Sequence, residues 1–234
     1  MNSTKAAARQ AGALYFLFSI VAIIREFFFP AFVVPGDATA TARNIVAAEP
    51  TYRIAILTGF VTLIMFIFLV VLLYNLFKDV DKKHAMLMVS LVTVGVAVAL
   101  ANLFNELASL VLLSGDPYWS VFTKPQLDAL ALGFLRLHGS GAAVVTAFWG
   151  LWLFPFGILV IKSGFFPRIL GILLMVAGIA YIISSFTSIA LPAQRQMVSR
   201  IMMPLYFGEV PIILWLLIMG AKVRQPQARS SSVS

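Results

Sequence analysis

The chain has no cysteine, only two histidines and few charges: Asp, Glu, Lys and Arg make up 11% of its 234 residues, against about 25% in an ordinary soluble domain. Without cysteine it is not a disulfide-stapled secreted module, and it carries no Cys-pair motif. Two histidines cannot build a His-rich metal centre. The scarcity of charge, beside 61% hydrophobic residues and 20 Phe, excludes a cytosolic enzyme and a disordered chain. A soluble globule of this size could not hide so much apolar surface. Also absent are HExxH, GxSxG and a phosphate-cradling glycine loop, so no enzymatic motif is legible. What remains is an integral membrane protein with several spans.

A bilayer core about 30 Å thick needs about 20 apolar helical residues. Residues 54–77, 84–105, 137–161 and 169–194 are free of Asp, Glu, Lys and Arg. Two further apolar segments are interrupted, one by Arg25-Glu26 and one by Glu209. Read as spans, they give six in all: 11–34, 54–77, 85–113, 133–161, 167–191 and 202–221. The expected fold is an all-α polytopic transmembrane bundle of six helices, one domain over 1–221, with short interfacial helices in the outer loops. The tail over 222–234 is polar and reads as disordered. Ala38-Thr39-Ala40 resembles a signal-peptide cleavage site but lies well past the first apolar stretch, behind a charged pair, which argues against cleavage.

Orientation follows Lys and Arg in the short loops. One side holds ten (Lys5, Arg9, Lys78, Lys82, Lys83, Lys162, Arg168, Lys222, Arg224, Arg229), and the other holds five (Arg43, Arg53, Lys124, Arg195, Arg200). Both termini are expected in the cytoplasm. The net charge of +8 reflects this asymmetry, and no basic domain outside the membrane suggests a nucleic-acid partner. The partner implied is the lipid bilayer.

The loops carry local signals. Asp37 is a candidate N-cap for a short outer helix over the following TATARNIVAA run, which Glu49-Pro50 should end. Thr123-Lys124-Pro125-Gln126 reads as a capping box with Pro in the first turn. From there a helical pattern too long to cross straight runs into span four. Gly133 and Gly139-Ser140-Gly141 are the expected places to bend or pack closely. Ser163-Gly164 and Pro167 mark a tight turn, and the glycines at 150/157 and 171/178 read as helix-packing contacts. His84, in a basic loop, reads as solvated.

The functional signal is polar groups at membrane depth. Span one carries Tyr15, Ser19 and Glu26 on one face, with Arg25 beside it. Span three carries Asn102, Asn105, Glu106 and Ser109 at i, i+3, i+4, i+7. Span four brings Arg136, His138 and Ser140, span five Tyr181, Ser184, Ser185 and Ser188, and span six Tyr206 and Glu209. Span two offers only Thr58 and Thr62, so it is expected to be the most lipid-exposed. At 1.5 Å per residue the key groups fall at one level, about 7–13 Å below the outer ends of their spans.

Charge at a helix centre costs about 2.5–3.5 kcal/mol on insertion scales, so Arg25, Glu26, Glu106, Arg136 and Glu209 should converge and pair. Arg136 is the expected partner of Glu106 or Glu209. Two cations do not balance three carboxylates; one acid is protonated, His138 is charged, or a cation is bound. Glu26, Glu106, His138 and Glu209 could also form a carboxylate-rich site for a divalent metal, although no metal or cofactor is signalled by spacing. The bland alternative is that the polar groups only hold helices together.

Several segments resemble one family. Ala11-Gly12-Ala13-Leu14-Tyr15 with Glu26, VPGDATATARNI at 34–45, Leu137-His138-Gly139, SGFFPRILG at 163–171, and Gly208-Glu209 are similar to the bacterial membrane proteins grouped as domain of unknown function 4386. The resemblance covers residues 9–221 and implies a multi-helix protein of the bacterial inner membrane. It supplies no activity and no catalytic residue. The reading the residues favour is a polar pocket in the outer half of the bundle, built from Arg25, Glu26, Asn102, Asn105, Glu106, Arg136, His138, Ser185 and Glu209. It would bind or transport a small polar or cationic ligand. An intramembrane metal-dependent enzyme and a sensor or accessory subunit are the alternatives.

Overall fold

The structure is a computed structural model that describes residues 3–28 and 32–221. The expected disordered tail, 222–234, and the end of expected span one at 29–31 lie outside the described residues. The helices are α1 (Ser3–Phe28), α2 (Ala38–Ala47), α3 (Glu49–Phe77), α4 (Lys82–Leu112), α5 (Lys124–Leu151), α6 (Leu153–Ser163), α7 (Arg168–Ala190), α8 (Arg195–Tyr206) and α9 (Val210–Ile218). No strand occurs among the described residues. Six helical stretches are long and apolar enough to cross a membrane: 4–26, 49–77, 82–112, 124–163, 168–190 and 192–218. The fourth joins α5 and α6; the sixth joins α8 and α9.

The core runs down the bundle axis around Tyr15, Phe66, Leu69, Trp152, Phe156 and Leu216, all buried. Phe66 meets the rings of Trp149 and Trp152 at centroid distances of 5.1 Å. The paired glycines bring α7 against α5 and α6 backbone to backbone. A Cβ at Gly150 would lie 2.7 Å from the Gly178 carbonyl oxygen, and one at Gly157 would lie 2.6 Å from that of Gly171. Small residues permit such approach where lipid offers helices no hydrophobic drive to associate.

Local signals fix the ends. Asp37 accepts from Ala40 N–H at 2.8 Å and starts α2. Thr123 and Gln126 form the capping box of α5, and Gly164 (φ +67°) closes α6 before Pro167 starts α7. At the opposite end from α2, Asp81 caps α4 and accepts from Lys162 Nζ at 2.7 Å. The Lys162 ammonium, then the His84 backbone N–H, hold the Asp81 carboxyl well below its ordinary value. His84 is not simply solvated: its Nδ1 lies 2.8 Å from Asp81 Oδ2, because the i, i+3 spacing puts both groups on one turn. At this same end Arg9 donates to the Ile218 carbonyl at 2.7 Å. The first and last spans therefore finish side by side.

Other expectations are corrected. Glu49-Pro50 opens α3 rather than only closing α2, since Pro in a first turn loses no bond. Span two thus starts at 49. Span four is continuous through Gly133 and Gly139–Gly141 and breaks at Trp152. Pro155 explains this, because its ring opposes the carbonyl four residues back, at Leu151. Span two is more buried than spans one and six. Its threonines were poor guides to exposure, because Thr58 and Thr62 bond back to carbonyls of their own helix. The last span begins ten residues earlier than expected, with a 3-10 turn at Pro192–Gln194, and is broken by a second 3-10 turn at Phe207–Glu209.

Candidate functional site

Glu106 on α4 is the centre of the first polar cluster. Its side chain has no exposed surface, and its Oε1 receives Arg25 Nη2 of α1 at 2.6 Å. The same oxygen lies 2.8 Å from His138 Nε2 of α5. The other ring nitrogen, Nδ1, lies 3.1 Å from the Asn102 carbonyl oxygen, and Asn102 Nδ2 donates to the His138 carbonyl at 2.9 Å. A Cβ at Gly141 would collide with Asn102 Oδ1, so this glycine allows α4 and α5 to close around the pair. Asn105 donates to Asn102 Oδ1 at 3.0 Å. From the other side Tyr52 of α3 bonds Ser109 at 2.9 Å, and Ser109 donates to the Glu106 carbonyl at 2.7 Å. Glu106 is thereby fixed from α1, α3, α4 and α5.

The second cluster surrounds Glu209. Tyr15 of α1 donates to Glu209 Oε2, and Tyr181 of α7 faces the same carboxyl. The Tyr181 ring stacks on that of Tyr206 with centroids 4.5 Å apart, and the Tyr206 hydroxyl meets Ser184. Tyr15 lies ten residues before Arg25 on α1, so this cluster is about 15 Å further along the bundle. The expectation of one level is corrected here. It placed Glu209 near the start of its span, but α8 adds a turn-rich stretch ahead of it. Among the described residues no cation pairs with Glu209.

Between the clusters lies a partly open cavity of about 470 Å³. Arg25, Glu26, Asn102, His138 and Ser185 line it, as do Ser184 and Tyr206 of the second cluster. Ser185 also donates to the Ala143 carbonyl at 2.7 Å, tying α7 to α5. Arg136 is exposed and does not line the cavity. It is not the partner of Glu106 or Glu209; Arg25 and His138 take Glu106, and α5 turns Arg136 outward two residues before His138. The four residues considered for a metal are not assembled, and the described residues hold no group of three or more His, Asp and Glu.

Among the polar cavity residues that escaped sequence reasoning are Thr146 of α5 and Arg195 and Ser199 of α8. Arg195, Ser199 and Tyr206 recur at i, i+4 and i+11, one face of a helix. The opposite stripe, Met197, Ile201 and Leu205, is apolar; residues of both stripes are exposed, Arg195 and Ser199 included. That alternation was readable, but starting the last span at 202 left 195–201 as a loop.

Helices of this length and hydropathy, packed through glycine contacts with Arg25, Glu106 and His138 turned inward, define a polytopic α-helical membrane protein. The chain matches the family described as Domain of unknown function (DUF4386) over residues 10–220, and it belongs to that family. An uncharacterized protein of Archaeoglobus fulgidus is 30% identical over 166 residues, covering 69% of this chain and 97% of that protein. No solved structure matches the chain.

Proposed function

We propose that this membrane protein binds a small polar ligand in the cavity between the Glu106 and Glu209 clusters. The observation that carries the reading is the amphipathic turn of α8. Its Arg195–Ser199–Tyr206 stripe faces the cavity while Met197, Ile201 and Leu205 face outward. A cavity left empty, or filled by lipid tails, would be better served by an apolar inner face, because lipid offers a guanidinium no partner. A transport form of the function draws support from the broken sixth span, since discontinuous helices frame midplane sites in many transporters. Glu209 sits at that break and reaches the cavity through Tyr181, Tyr206 and Ser184.

The test separates a binding site from a packing void. Ala99 lines the cavity, so Ala99→Phe fills part of it. In a binding protein, native mass spectrometry of the wild type retains a co-purified molecule that Ala99→Phe loses. If the wild type is bare and Ala99→Phe melts higher than wild type, the cavity is only a void and the reading fails.

A further inference from the structure

We propose that Glu209 binds an exchangeable proton in the middle of the bilayer and stands in this structure as a carboxylic acid. The proposal concerns the carboxyl at the break in the last span and does not depend on a ligand in the cavity.

Depth comes first. Tyr15, which donates to Glu209 Oε2, is the middle residue of the stretch 4–26. Tyr181, which faces the same carboxyl, lies two residues past the middle of 168–190. Glu209 itself lies four residues past the middle of 192–218. Three spans thus bring their central parts to one carboxyl. An ionised carboxylate at such depth is costly unless a cation compensates it.

Among the described residues no cation does. The turn at Phe207–Glu209 is packed by α7, α8 and α9, and α1 reaches it through Tyr15. The α9 segment has no titratable side chain. On α7 the titratable groups are Tyr181 and Arg168, and Arg168 lies 13 residues before Tyr181, about 20 Å along the axis. On α8 they are Tyr206, Arg195 and Arg200, and the nearer arginine lies nine residues before Glu209, about 13 Å along the axis. On α1 the groups besides Tyr15 are Lys5, Arg9, Arg25 and Glu26. Arg9 is held by the Ile218 carbonyl and Arg25 by Glu106. The groups that face Glu209 are therefore the phenols of Tyr15 and Tyr181, with Tyr206 stacked behind the second.

Phenols share a negative charge without cancelling it. A carboxylic acid removes it, and its hydrogen bonds fit the same surroundings. One oxygen accepts and the other donates, so Tyr15 serves as the donor and the Tyr181 oxygen as the acceptor. The contrast with Glu106 is chemical: Glu106 meets a guanidinium and an imidazole, whereas Glu209 meets only hydroxyls. Glu209 is half-buried and does not line the cavity, but Tyr206 and Ser184, bonded to each other, do. Tyr181, Tyr206 and Ser184 are thus the polar groups along which a proton passes between the carboxyl and the cavity. Carboxyls at this depth serve as proton relays in pumps and transporters.

The test is infrared spectroscopy of the purified full-length protein in lipid nanodiscs near neutral pH, wild type minus Glu209→Gln. The expected difference is the carbonyl stretch of one carboxylic acid, present in wild type, lost in the variant and shifted in heavy water. Absence of that band overturns the proposal, because Glu209 is then ionised. A band that does not move in heavy water overturns it too, because the proton does not exchange. Should Glu209→Gln fail to fold, wild type alone decides. Dicyclohexylcarbodiimide adds to carboxylic acids in apolar surroundings and spares carboxylates, and the modified peptides are identified by mass. Labelling at Glu209 that fades as the pH rises supports the proposal. Labelling confined to other carboxyls, or none, overturns it. The Ala99→Phe comparison decides the binding reading separately.

Discussion

Glu106 serves two donors through one carboxylate oxygen and has no exposed surface of its own. Removing one member of such a buried pair leaves an uncompensated charge, which costs more than removing both. Glu106→Gln or Arg25→Met alone should therefore lower stability by about 3–5 kcal/mol, the range for breaking a buried pair. The double variant should lose clearly less than the sum. Thermal unfolding of the four proteins in detergent gives the coupling, and additive losses would dissolve the pair. Arg136→Met is the contrast. Its side chain is exposed and unpaired among the described residues, so the expected change is within about 0.5 kcal/mol.

These residues show where sequence reasoning reached its limit. That Arg25, Glu106 and His138 face inward follows from the price of charge in lipid. Which cation meets Glu106 depends on rotation about the helix axis, and adjacent residues point about 100° apart. One register of α5 would present Arg136 and another presents His138; the composition of the span does not choose between them. Asn102 was legible as a polar residue, but its role as the brace of His138 needed the contact with Gly141.

At the scale of helices, the glycine contacts make opposite predictions for chemically similar changes. Gly150→Ala places a Cβ 2.7 Å from a backbone carbonyl of α7. That oxygen cannot swing away, so the helices must part, at a cost of about 1–3 kcal/mol, as for overpacking in a tight core. Gly133 has nothing within 4 Å of a Cβ. There Gly133→Ala should gain about 0.5–1 kcal/mol, because alanine loses less backbone entropy in a helix. Melting temperatures of the two variants should move in opposite directions. A fall in both would mean that Gly133 faces a neighbour. The contact glycines and the caps at Asp37 and Thr123 were legible because each is a local pattern with one mechanical use. The break at Trp152 was legible only through Pro155, and the glycines at 139–141 drew attention away from it. The start of α8 was hidden by Pro192, Gln194, Arg195 and Gln196, a polar stretch whose helical face emerges only once its neighbours are in place.

For the whole molecule, the structure sets both ends of the described residues, Ser3 and Ala221, on one side of the bundle. Arg9 caps the carbonyl of Ile218, and an even number of spans has the same consequence. Which side of the membrane that is follows from charge. Seven Lys and Arg among the described residues lie at the end that carries Ser3, Ala221 and Asp81, and three more follow in the sequence after Ala221. Five lie at the other, the cavity-facing Arg195 among them, and counting Arg25 and Arg136 there raises it only to seven of the 17. With the three tail residues counted the bias survives that reassignment, and on this ground we propose that the termini face the cytoplasm and the mouth of the cavity faces the other side. The absence of cysteine makes this simple to check, since each introduced thiol is unique. Thr39, Ser120 and Asp79 are exposed. In intact cells a membrane-impermeant maleimide should label Thr39→Cys and Ser120→Cys at once, and Asp79→Cys only after permeabilisation. Labelling of Asp79→Cys alone in intact cells would invert the molecule. Labelling of all three would mean that it inserts both ways, and the cavity would then open to both sides of the membrane in different copies.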